Sequence, residues 1–372
     1  MKIKVNVDLS SANNFGSGIC VFENEIVSRL ATSSSLALHG CANYRRAFSK
    51  ADYARFPFDV TYSKVPHKLV YNHYLPISYD GMMKNRADVS LFCTYVLPNV
   101  RYNGPVISCI HDIILIKTKA EAKKVIEHHD KVIRHTIDNS SAILTVSNAT
   151  KADLIDIYGV SEDKITVVYN GVDSEVYNKK ILDEEKTRVK KKYGLPEKFF
   201  LYFGGIRKHK NVDNIIRAYA MLDAKDKEEI KLVITNGSNS LKQLVCELGE
   251  DNNVIFTGFI DDTDKVAIYQ LAMISMFVSF YEGFGIPIIE AMAAGTPVIT
   301  SNTSSMPEAA GDAALLVNPY SVEEISQAMK RLISDPTLYN ELVLRGYKNA
   351  RRFDWDKSAK IVEDLIIKTA GR

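Results

Sequence analysis

Glu282 and Glu290 are the residues whose spacing says most about the chemistry of this chain. They bracket a turn in which Gly283 and Gly285 flank Phe284, with an apolar stretch before the turn and a helical pattern after it. Glycine lets the backbone approach a ligand closely, and the first turn of a helix presents unpaired N–H groups that attract anions. The pattern therefore predicts a site for a ligand with phosphates at one end and hydroxyl groups at the other.

A basic loop earlier in the chain carries the charges that a diphosphate needs. Gly204 and Gly205 follow a predicted strand, and Arg207 and Lys210 come just before Asn211, the predicted N-cap of the next helix. Cations and free N–H groups at a helix start both bind phosphate oxygens. A solvated basic turn is the alternative for this loop alone, whereas the loop and the glutamate pair together predict diphosphate binding.

His111 and Asp112 directly follow a buried strand in the first half of the chain, so they are expected at a ligand-facing sheet edge. His111 is a candidate for hydrogen bonding to a sugar hydroxyl and Asp112 for contact with an acceptor. A structural histidine is the alternative. Gly16 and Gly18 belong to a weak glycine-rich turn after the first strand, which predicts either acceptor contact or a flexible turn before a helix.

Two short motifs are predicted to cap helices. Asp262 and Asp264 have the letters of a metal-binding Asp-x-Asp, but they precede a helical pattern, where aspartates cap the N-terminus, so no metal site is predicted. Ser305 and Glu308 have the spacing of a capping box. The five cysteines are scattered without metal-ligand spacing, which predicts reduced thiols in a cytoplasmic protein.

Composition and charge limit the classes of function. The 372 residues are enough for two domains, and the formal net charge of +2 gives no argument for nucleic-acid binding. No apolar run reaches the roughly eighteen residues of a membrane span, and the N-terminus reads as a strand and not as a signal peptide. Three interpretations stay open for the basic and aromatic segment 44–58 and, more weakly, for the lysine-rich stretch 119–134. They are contact with an anionic membrane surface such as the inner face of the cell membrane, binding of a lipid-linked acceptor, and an ordinary solvated face, which is favoured.

Short apolar runs that alternate with helical patterns must position these residues. The alternation predicts an α/β fold with parallel sheets covered on both faces, and the strands are too many for one domain. We expect two doubly wound, Rossmann-like domains that face each other across a cleft, with ligands beyond the carboxyl ends of the strands. The predicted strands are at residues 3–7, 68–71, 89–92, 106–110, 143–146, 165–168, 199–203, 231–234, 254–256, 275–278, 298–300 and 314–317.

The motif from Glu282 to Glu290 resembles the E-x7-E signature of the family 4 retaining glycosyltransferases, which have the GT-B fold. The likeness continues through residues 291–299 and 307–314, with further support at 169–173 and 352–355. It extends over about residues 100 to 360. Within the family, the chain resembles bacterial mannosyltransferases of O-antigen (lipopolysaccharide) and other polysaccharide assembly.

The resemblance implies a role for each residue of the glutamate motif. Glu290 is expected to hold the ribose hydroxyls of a nucleotide-sugar donor, and Glu282 to lie against the donor sugar. The backbone N–H groups of Gly283, Phe284 and Gly285 are expected to contact that sugar and the phosphates.

The same resemblance assigns the basic loop and the histidine. Arg207 and Lys210 are expected to stabilise the departing diphosphate, with Gly204 and Gly205 in the donor-binding loop. His111 is expected to approach the donor sugar from the first domain. Gly16, Gly18 and Asp112 remain candidates for acceptor contact.

The resulting expectation is a metal-independent, retaining hexosyltransferase without a cofactor. Residues 1–175 are predicted to form an acceptor-binding domain and 176–355 a nucleotide-sugar-binding domain, and the helix at 356–372 is predicted to cross back to the first domain. The expected donor is a nucleotide diphosphate sugar, with GDP-mannose favoured, and the expected acceptor is a saccharide or lipid-linked saccharide of cell-surface polysaccharide synthesis. The alternatives are a GT-B nucleotide-sugar epimerase or hydrolase, and a non-catalytic binding subunit of an assembly complex.

Overall fold

The structure, a computed structural model, describes residues 2–13, 17–43, 53–63, 65–72 and 74–371. Contacts within the chain divide it into two compact units. Unit 1 consists of Met1–Asn170 together with Trp355–Arg372, and unit 2 consists of Gly171–Asp354.

Strands and helices alternate along most of the chain. The strands are β1 (Ile3–Asp8), β2 (Leu36–Asn43), β3 (Val60–Ser63), β4 (Leu75–Ser78), β5 (Val89–Phe92), β6 (Val100–Arg101), β7 (Val106–Cys109), β8 (Ala142–Thr145), β9 (Ile165–Val167), β10 (Lys198–Tyr202), β11 (Ile230–Thr235), β12 (Val254–Gly258), β13 (Ile274–Phe277), β14 (Val298–Ser301) and β15 (Ala314–Val317). The helices are α1 (Gly18–Leu30), α2 (His67–Asn72), α3 (Tyr79–Met83), α4 (Ile114–Thr118), α5 (Lys123–Asn139), α6 (Asn148–Tyr158), α7 (Ser174–Asn178), α8 (Asp183–Tyr193), α9 (Val212–Ala220), α10 (Ala224–Glu229), α11 (Asn239–Glu247), α12 (Lys265–Leu271), α13 (Ile286–Ala293), α14 (Met306–Ala310), α15 (Val322–Ser334), α16 (Pro336–Ala350) and α17 (Trp355–Thr369).

Unit 1 is built on a parallel sheet with the strand order β3-β2-β1-β5-β7-β8-β9, and β4 pairs with β6 in a separate ribbon. Every residue of β5, β7 and β8 is buried. A strand that is covered on both faces must be apolar along its whole length, which is why these segments read as continuous apolar runs in the sequence.

The sequence predictions for unit 1 differ from the structure in two respects. Residues 68–71 lie in helix α2 and not in a strand, because a four-residue apolar run has no periodicity that distinguishes the two. Strands β2, β3, β4 and β6 were not predicted. Among them, β2 pairs with both β1 and β3. Its Gly40 has no room for a side chain, since an added Cβ would lie 2.8 Å from Leu9 Cδ1 and from Val60 Cγ2.

The last helix of the chain, α17, packs against α1 within unit 1. Trp355 meets Phe22 edge-on with ring centroids 6.2 Å apart, and Arg29 Nε donates to Asp356 Oδ1 at 2.5 Å. Ser358 Oγ donates to the carbonyl of Tyr169 at 2.7 Å. The C-terminal residues therefore complete the core of the unit that the N-terminal residues begin.

Unit 2 has a parallel sheet with the order β12-β11-β10-β13-β14-β15. Its apolar core joins strand residues such as Phe200 and Met276 to helix residues such as Ile216 and Met329. The strand order reverses between β10 and β13, because β11 and β12 extend the sheet on one side and β14 and β15 on the other. In open α/β sheets this reversal leaves a crevice at the carboxyl ends of the two strands.

The packing of α17 gives a stability prediction. Replacing Ile366, which is fully buried in α17, by alanine should lower the free energy of unfolding of unit 1 by about 2–5 kcal/mol, because the change leaves a cavity. Ile361 lies in the same helix and is 40% exposed, so Ile361→Ala should cost much less, on the order of 0.5 kcal/mol. Trp355 is the only tryptophan, so its fluorescence during urea titration reports on this unit. Equal effects of the two changes would contradict the packing.

Candidate active site at the carboxyl ends of β10 and β13

The basic loop and the glycine turn meet because they follow neighbouring strands. β10 pairs with β13 in parallel, with Phe200 opposite Ile274. The loop after β10 and the turn after β13 therefore leave the sheet at the same edge. Phe280 N donates to the carbonyl of His209 at 2.8 Å, which joins the two segments through their backbones.

Lys210 and Glu282 form the central ion pair of this edge. Lys210 Nζ lies 2.6 Å from Glu282 Oε1, and the two side chains are only 20% and 12% exposed. Lys210 Nζ also lies 5.1 Å above the ring of Phe277, a cation–π contact. The structure thus brings together two of the predicted site residues and holds the cation in a partly buried position.

The other residues of the basic loop are held differently. Gly204 N donates to Thr235 Oγ1 at 2.9 Å, and Tyr202 Oη donates to the carbonyl of Gly205 at 2.8 Å. Arg207 is exposed, and no carboxylate pairs with it among the residues that the structure describes. The backbone of the loop is therefore fixed by its own unit, while the Arg207 side chain faces solvent.

Asn211 is the N-cap residue of α9, as predicted, but its side chain does not bond to the helix start. It has a left-handed backbone with φ of 57° and makes no side-chain cap bond. Its Nδ2 donates instead to the carbonyl oxygens of Val278, at 3.0 Å, and Pro319, at 2.7 Å. Two buried carbonyls outside its own helix thus determine its orientation, and the result is a second link between the basic loop and the end of β13.

Glu290 lies one turn into α13, is 6% exposed, and accepts hydrogen bonds from three side chains. Tyr177 Oη donates to Oε1 at 2.9 Å, Tyr269 Oη donates to Oε2 at 3.1 Å, and Lys265 Nζ pairs with Oε1. Burial, and secondarily the charge of Glu290, raises the pKa of both tyrosines, so both remain neutral donors. The carboxylate is therefore oriented as an acceptor on a rigid helix.

Lys265, Tyr177 and Tyr269 are site residues that the sequence analysis missed. Lys265 begins α12, and Tyr269 lies one helical turn later on the same face. This four-residue spacing at a helix start was the available signal. Tyr177 had none, because it lies in a short helix far from Glu290 in the sequence.

The glycine turn has one position that requires glycine. Gly285 has φ of +106°, and an added Cβ would lie 2.9 Å from Ile288 Cδ1. The neighbouring Phe284 ring is buried and packs edge-on against Phe353, with centroids 5.3 Å apart. Only the backbone of Phe284 is therefore available to a ligand, because its ring is buried. Gly283 has no side chain, so a ligand can contact only its backbone.

Asp264 and Ser305 are likewise the N-cap residues of α12 and α14, as predicted, but neither side chain makes the expected cap bond. Asp264 makes no cap bond; it is fully buried and accepts from Lys192 Nζ at 2.6 Å, from Tyr193 Oη at 2.8 Å and from Arg188. The Arg188 guanidinium holds the pKa of Asp264 well below its usual range. Ser305 likewise makes no cap bond for α14, and its hydroxyl donates to the glycine turn. In both cases a tertiary partner competes successfully with the local N–H.

His111 lies in unit 1 just beyond β7 and is 6% exposed. Its Nε2 lies 2.8 Å from the carbonyl of Cys93, and its ring meets Phe22 edge-on at 5.0 Å. Burial lowers the pKa of His111 to about 4, and the bond to Cys93 opposes this only in part. The ring is therefore neutral near pH 7, with the hydrogen on Nε2 and with Nδ1 as an acceptor.

The acceptor candidates fall in different places. Asp112 Oδ1 accepts from Ile114 N at 2.9 Å and so fixes the start of α4. Gly18 is the first residue of α1, after the N-cap Ser17. Gly16 lies outside the described residues, as does the part of the basic and aromatic segment at 44–52. Their proposed contacts with acceptor or membrane stay predictions.

Family models match both halves of the chain. The model described as Glycosyltransferase Family 4 matches residues 83–176, and the model described as Glycosyl transferases group 1 matches residues 183–352. The chain belongs to the family 4 glycosyltransferases. The family prediction from the glutamate motif is thus confirmed, and the second match contains both Glu282 and Glu290.

Curated relatives of this glycosyltransferase include bacterial mannosyltransferases. O-antigen chain mannosyltransferase B of Escherichia coli is 28% identical over 67% of this chain and 67% of its own length. Serotype-specific mannosyltransferase WbdA of Escherichia coli is 28% identical over 60% of this chain, which spans only 28% of WbdA. D-inositol 3-phosphate glycosyltransferase of Corynebacterium aurimucosum is 26% identical over 81% of this chain and 72% of its own length.

Solved structures share the fold. Sucrose-phosphate synthase from Thermosynechococcus elongatus superposes with a TM-score of 0.76 at 16% identity and covers 99% of both chains. HepE of Anabaena, in complex with UDP and glucose, gives a TM-score of 0.76 at 16% identity and covers 98% of this chain and all (100%) of its own. The GT-B fold prediction is confirmed.

Two further properties of the glycosyltransferase concern membranes and metals. Among the described residues, no helix is both long and apolar enough to cross a membrane. The described part of the chain also contains no cluster of three or more histidine, cysteine, aspartate or glutamate side chains arranged to hold a metal ion.

The environment of His111 predicts a pH effect on stability. The unfolded chain binds a proton at His111 near its ordinary pKa of 6.5, whereas the folded chain binds it only near pH 4, so stability falls as the pH drops through this window. Each pKa unit is worth about 1.4 kcal/mol, so between pH 7 and pH 4 the wild-type protein should lose about 3 kcal/mol more than His111→Gln. Urea titrations followed by Trp355 fluorescence measure this difference. Parallel pH profiles would contradict the buried neutral ring.

Proposed function

We propose that the protein is a retaining hexosyltransferase that moves a hexose from a nucleotide diphosphate sugar to a hydroxyl of a saccharide or lipid-linked saccharide. The observation that carries the proposal is the ion pair of Lys210 with Glu282 at the reversal of strand order, next to the first turn of α13. A cation, a helix start and a glycine turn meet there, and these are groups that bind a diphosphate.

In the proposed reaction, negative charge grows on the leaving diphosphate while the sugar becomes oxocarbenium-like. Lys210, and Arg207 from its exposed position, would stabilise the first change, together with N–H groups of the glycine turn and α13. These groups supply the charge stabilisation that a metal ion would otherwise give. The protein is therefore proposed to act without a metal.

We propose that Glu282 and Glu290 hold hydroxyl groups and do not attack the sugar. Retaining glycosidases use a carboxylate as nucleophile beside a second carboxyl group. Here Glu282 is engaged by Lys210, and Glu290 by Lys265 and two tyrosines. Front-face transfer suits this arrangement: the bond from the anomeric carbon to the diphosphate oxygen breaks, the acceptor oxygen bonds to the same face, and the leaving phosphate takes the acceptor proton.

His111 is proposed to contact a sugar hydroxyl. Since Nε2 donates to the carbonyl of Cys93, the neutral ring presents Nδ1 as an acceptor, and a hydroxyl can donate to it. A neutral imidazole also adds no positive charge near an oxocarbenium-like sugar. This role needs the neutral form, which burial maintains.

Mannose is the proposed sugar and GDP-mannose the proposed donor, within cell-surface polysaccharide synthesis in the cytoplasm. The support is the occurrence of mannosyltransferases among the relatives, including the O-antigen chain mannosyltransferase B and the serotype-specific mannosyltransferase WbdA of Escherichia coli. HepE, with its bound UDP and glucose, makes UDP-glucose the principal competitor. The four cysteines that are buried and the exposed Cys246 are all free thiols, as a reducing compartment requires.

Loss of the Lys210 cation should affect turnover strongly. We expect Lys210→Ala to lower kcat about a hundredfold or more, because a group that stabilises charge only in the transition state is removed. Lys208→Ala is the matched control: it removes the same charge from an exposed position of the same loop and should leave kcat within about twofold. The measurement is release of nucleoside diphosphate in the presence of acceptor. Similar rates for wild type and Lys210→Ala would remove the basis for the diphosphate site.

Donor identity can be tested by ligand-induced stabilisation. We expect GDP-mannose to raise the melting temperature more than UDP-glucose or ADP-glucose, since a ligand that binds only the folded state stabilises it by mass action. Incubation of the preferred donor without acceptor should release little free sugar. Rapid release, or formation of an epimer, would indicate a hydrolase or an epimerase, and binding without turnover on any saccharide acceptor would indicate a binding subunit.

A further inference from the structure

A series of hydroxyl groups from β14 and the turn after it donates to carbonyl oxygens of β13 and the glycine turn. As the donors advance from Thr300 to Ser305, the acceptors advance from Phe277 to Phe284. The hydrogen bonds are Thr300 Oγ1 to Phe277 O (2.7 Å), Ser301 Oγ to Ser279 O (2.5 Å), Thr303 Oγ1 to Phe280 O (3.1 Å), Ser304 Oγ to Glu282 O (2.7 Å), and Ser305 Oγ to both Glu282 O (2.9 Å) and Phe284 O (2.9 Å).

The last hydroxyls of the series determine the orientation of two peptide groups. In a trans peptide, the carbonyl oxygen and the N–H of the next residue point in opposite directions. Ser304 donates to the carbonyl of Glu282, and the single hydroxyl hydrogen of Ser305 is shared between the carbonyls of Glu282 and Phe284. Because the carbonyl of Glu282 is held in this way, the N–H of Gly283 points away from the two serines. Because Ser305 holds the carbonyl of Phe284, the N–H of Gly285 points away in the same manner.

Peptide groups next to glycine need such a restraint more than others do. Glycine populates positive and negative φ with similar ease, so a peptide plane beside it can rotate at little cost. Both peptide groups held by the serines precede a glycine, Gly283 in one and Gly285 in the other. Without the hydroxyls, each amide would sample orientations in which its N–H does not face the ligand.

The backbone of Ser304 is strained where its hydroxyl contacts Glu282. Ser304 has φ of 54°, in the left-handed region that residues other than glycine rarely adopt. This conformation places Oγ against Glu282, whose carbonyl accepts from it at 2.7 Å and whose N–H lies 3.4 Å from it. Ser305 is fully buried, and its hydroxyl serves the glycine turn and not its own helix.

We propose that Ser304 and Ser305 are positioning residues of the donor site, which aim the N–H groups of Gly283 and Gly285 at the diphosphate and sugar of the donor. They act through the backbone and do not touch the ligand themselves. The inference rests on the proposed function, because it assigns the task of these amides to donor binding.

The test compares the Ser304→Ala/Ser305→Ala double variant with Thr300→Val. Thr300 is buried and makes the same kind of hydroxyl-to-carbonyl bond, but to Phe277, before the glycine turn. Calorimetry with GDP and GMP, and with UDP and UMP in parallel, measures the advantage that the second phosphate gives. The double variant should reduce that advantage about tenfold and lower kcat/KM for transfer about a hundredfold, since small displacements of binding groups have effects of this order. Thr300→Val should leave both within about twofold.

A pair of variants separates positioning from stability. Ser304→Gly and Ser304→Ala both remove the hydroxyl, but glycine accepts the left-handed backbone without strain. We expect Ser304→Gly to have the higher melting temperature and the two variants to share the same reduced kcat/KM. A kcat/KM that follows melting temperature across these variants would show that the serines act only on stability, and would overturn the proposal.

The proposed function and the role of the two serines are contradicted by different results. Wild-type protein that binds neither GDP nor UDP and transfers no sugar overturns the proposed function, and the role of the serines with it. Wild-type protein that binds a nucleoside diphosphate and transfers sugar, beside a double variant that matches Thr300→Val, overturns the role of the serines alone.

Discussion

The parallel pairing of β10 with β13 is the contact on which the candidate site depends. Because the sheet grows away from β10 on one side and from β13 on the other, the loops that follow these strands diverge and leave room between them. Lys210 and Glu282, which are far apart in sequence, reach an ion-pair distance of 2.6 Å only through this pairing. The backbone bond from Phe280 to His209 and the amide of Asn211 then fix the two loops together.

Each of the two glutamates of the motif is paired with a lysine at the start of a helix. Lys210 directly precedes Asn211 and α9, and Lys265 is the first residue of α12. A partly buried carboxylate without a partner would be costly, so these pairs make it possible to place two acidic groups at one sheet edge. The same lysines also bring positive charge to the edge, where a diphosphate can compete for it.

The fold could be predicted from the sequence because strands and helices of this kind leave local patterns of apolar residues. Strands covered on both faces need continuous apolar runs, and helices between them need a repeating apolar face, so both patterns are visible in the sequence. The glycine turn could be predicted from the sequence for the same reason, since the positive φ at residue 285 favours glycine at that position itself. Tyr177, one of the partners of Glu290, was not visible, because it reaches Glu290 through the packing of α7 on α13 and no local pattern records that contact.

The missing cap bonds of Asn211 and Ser305 share one physical explanation. Each has a side chain that can bond either to an N–H at its own helix start or to a carbonyl brought near by folding. Asn211 bonds to the carbonyls of Val278, directly after β13, and of Pro319, and Ser305 bonds to two carbonyls of the turn that follows β13. A buried carbonyl without a donor is costly, whereas an N–H at an exposed helix start can bond to water. The side chains of Asn211 and Ser305 therefore donate to buried carbonyls and leave the helix N–H groups to water. A site that recognises its ligand through backbone amides has no side chains to adjust there, so its geometry must be set by the hydroxyls and amides behind it.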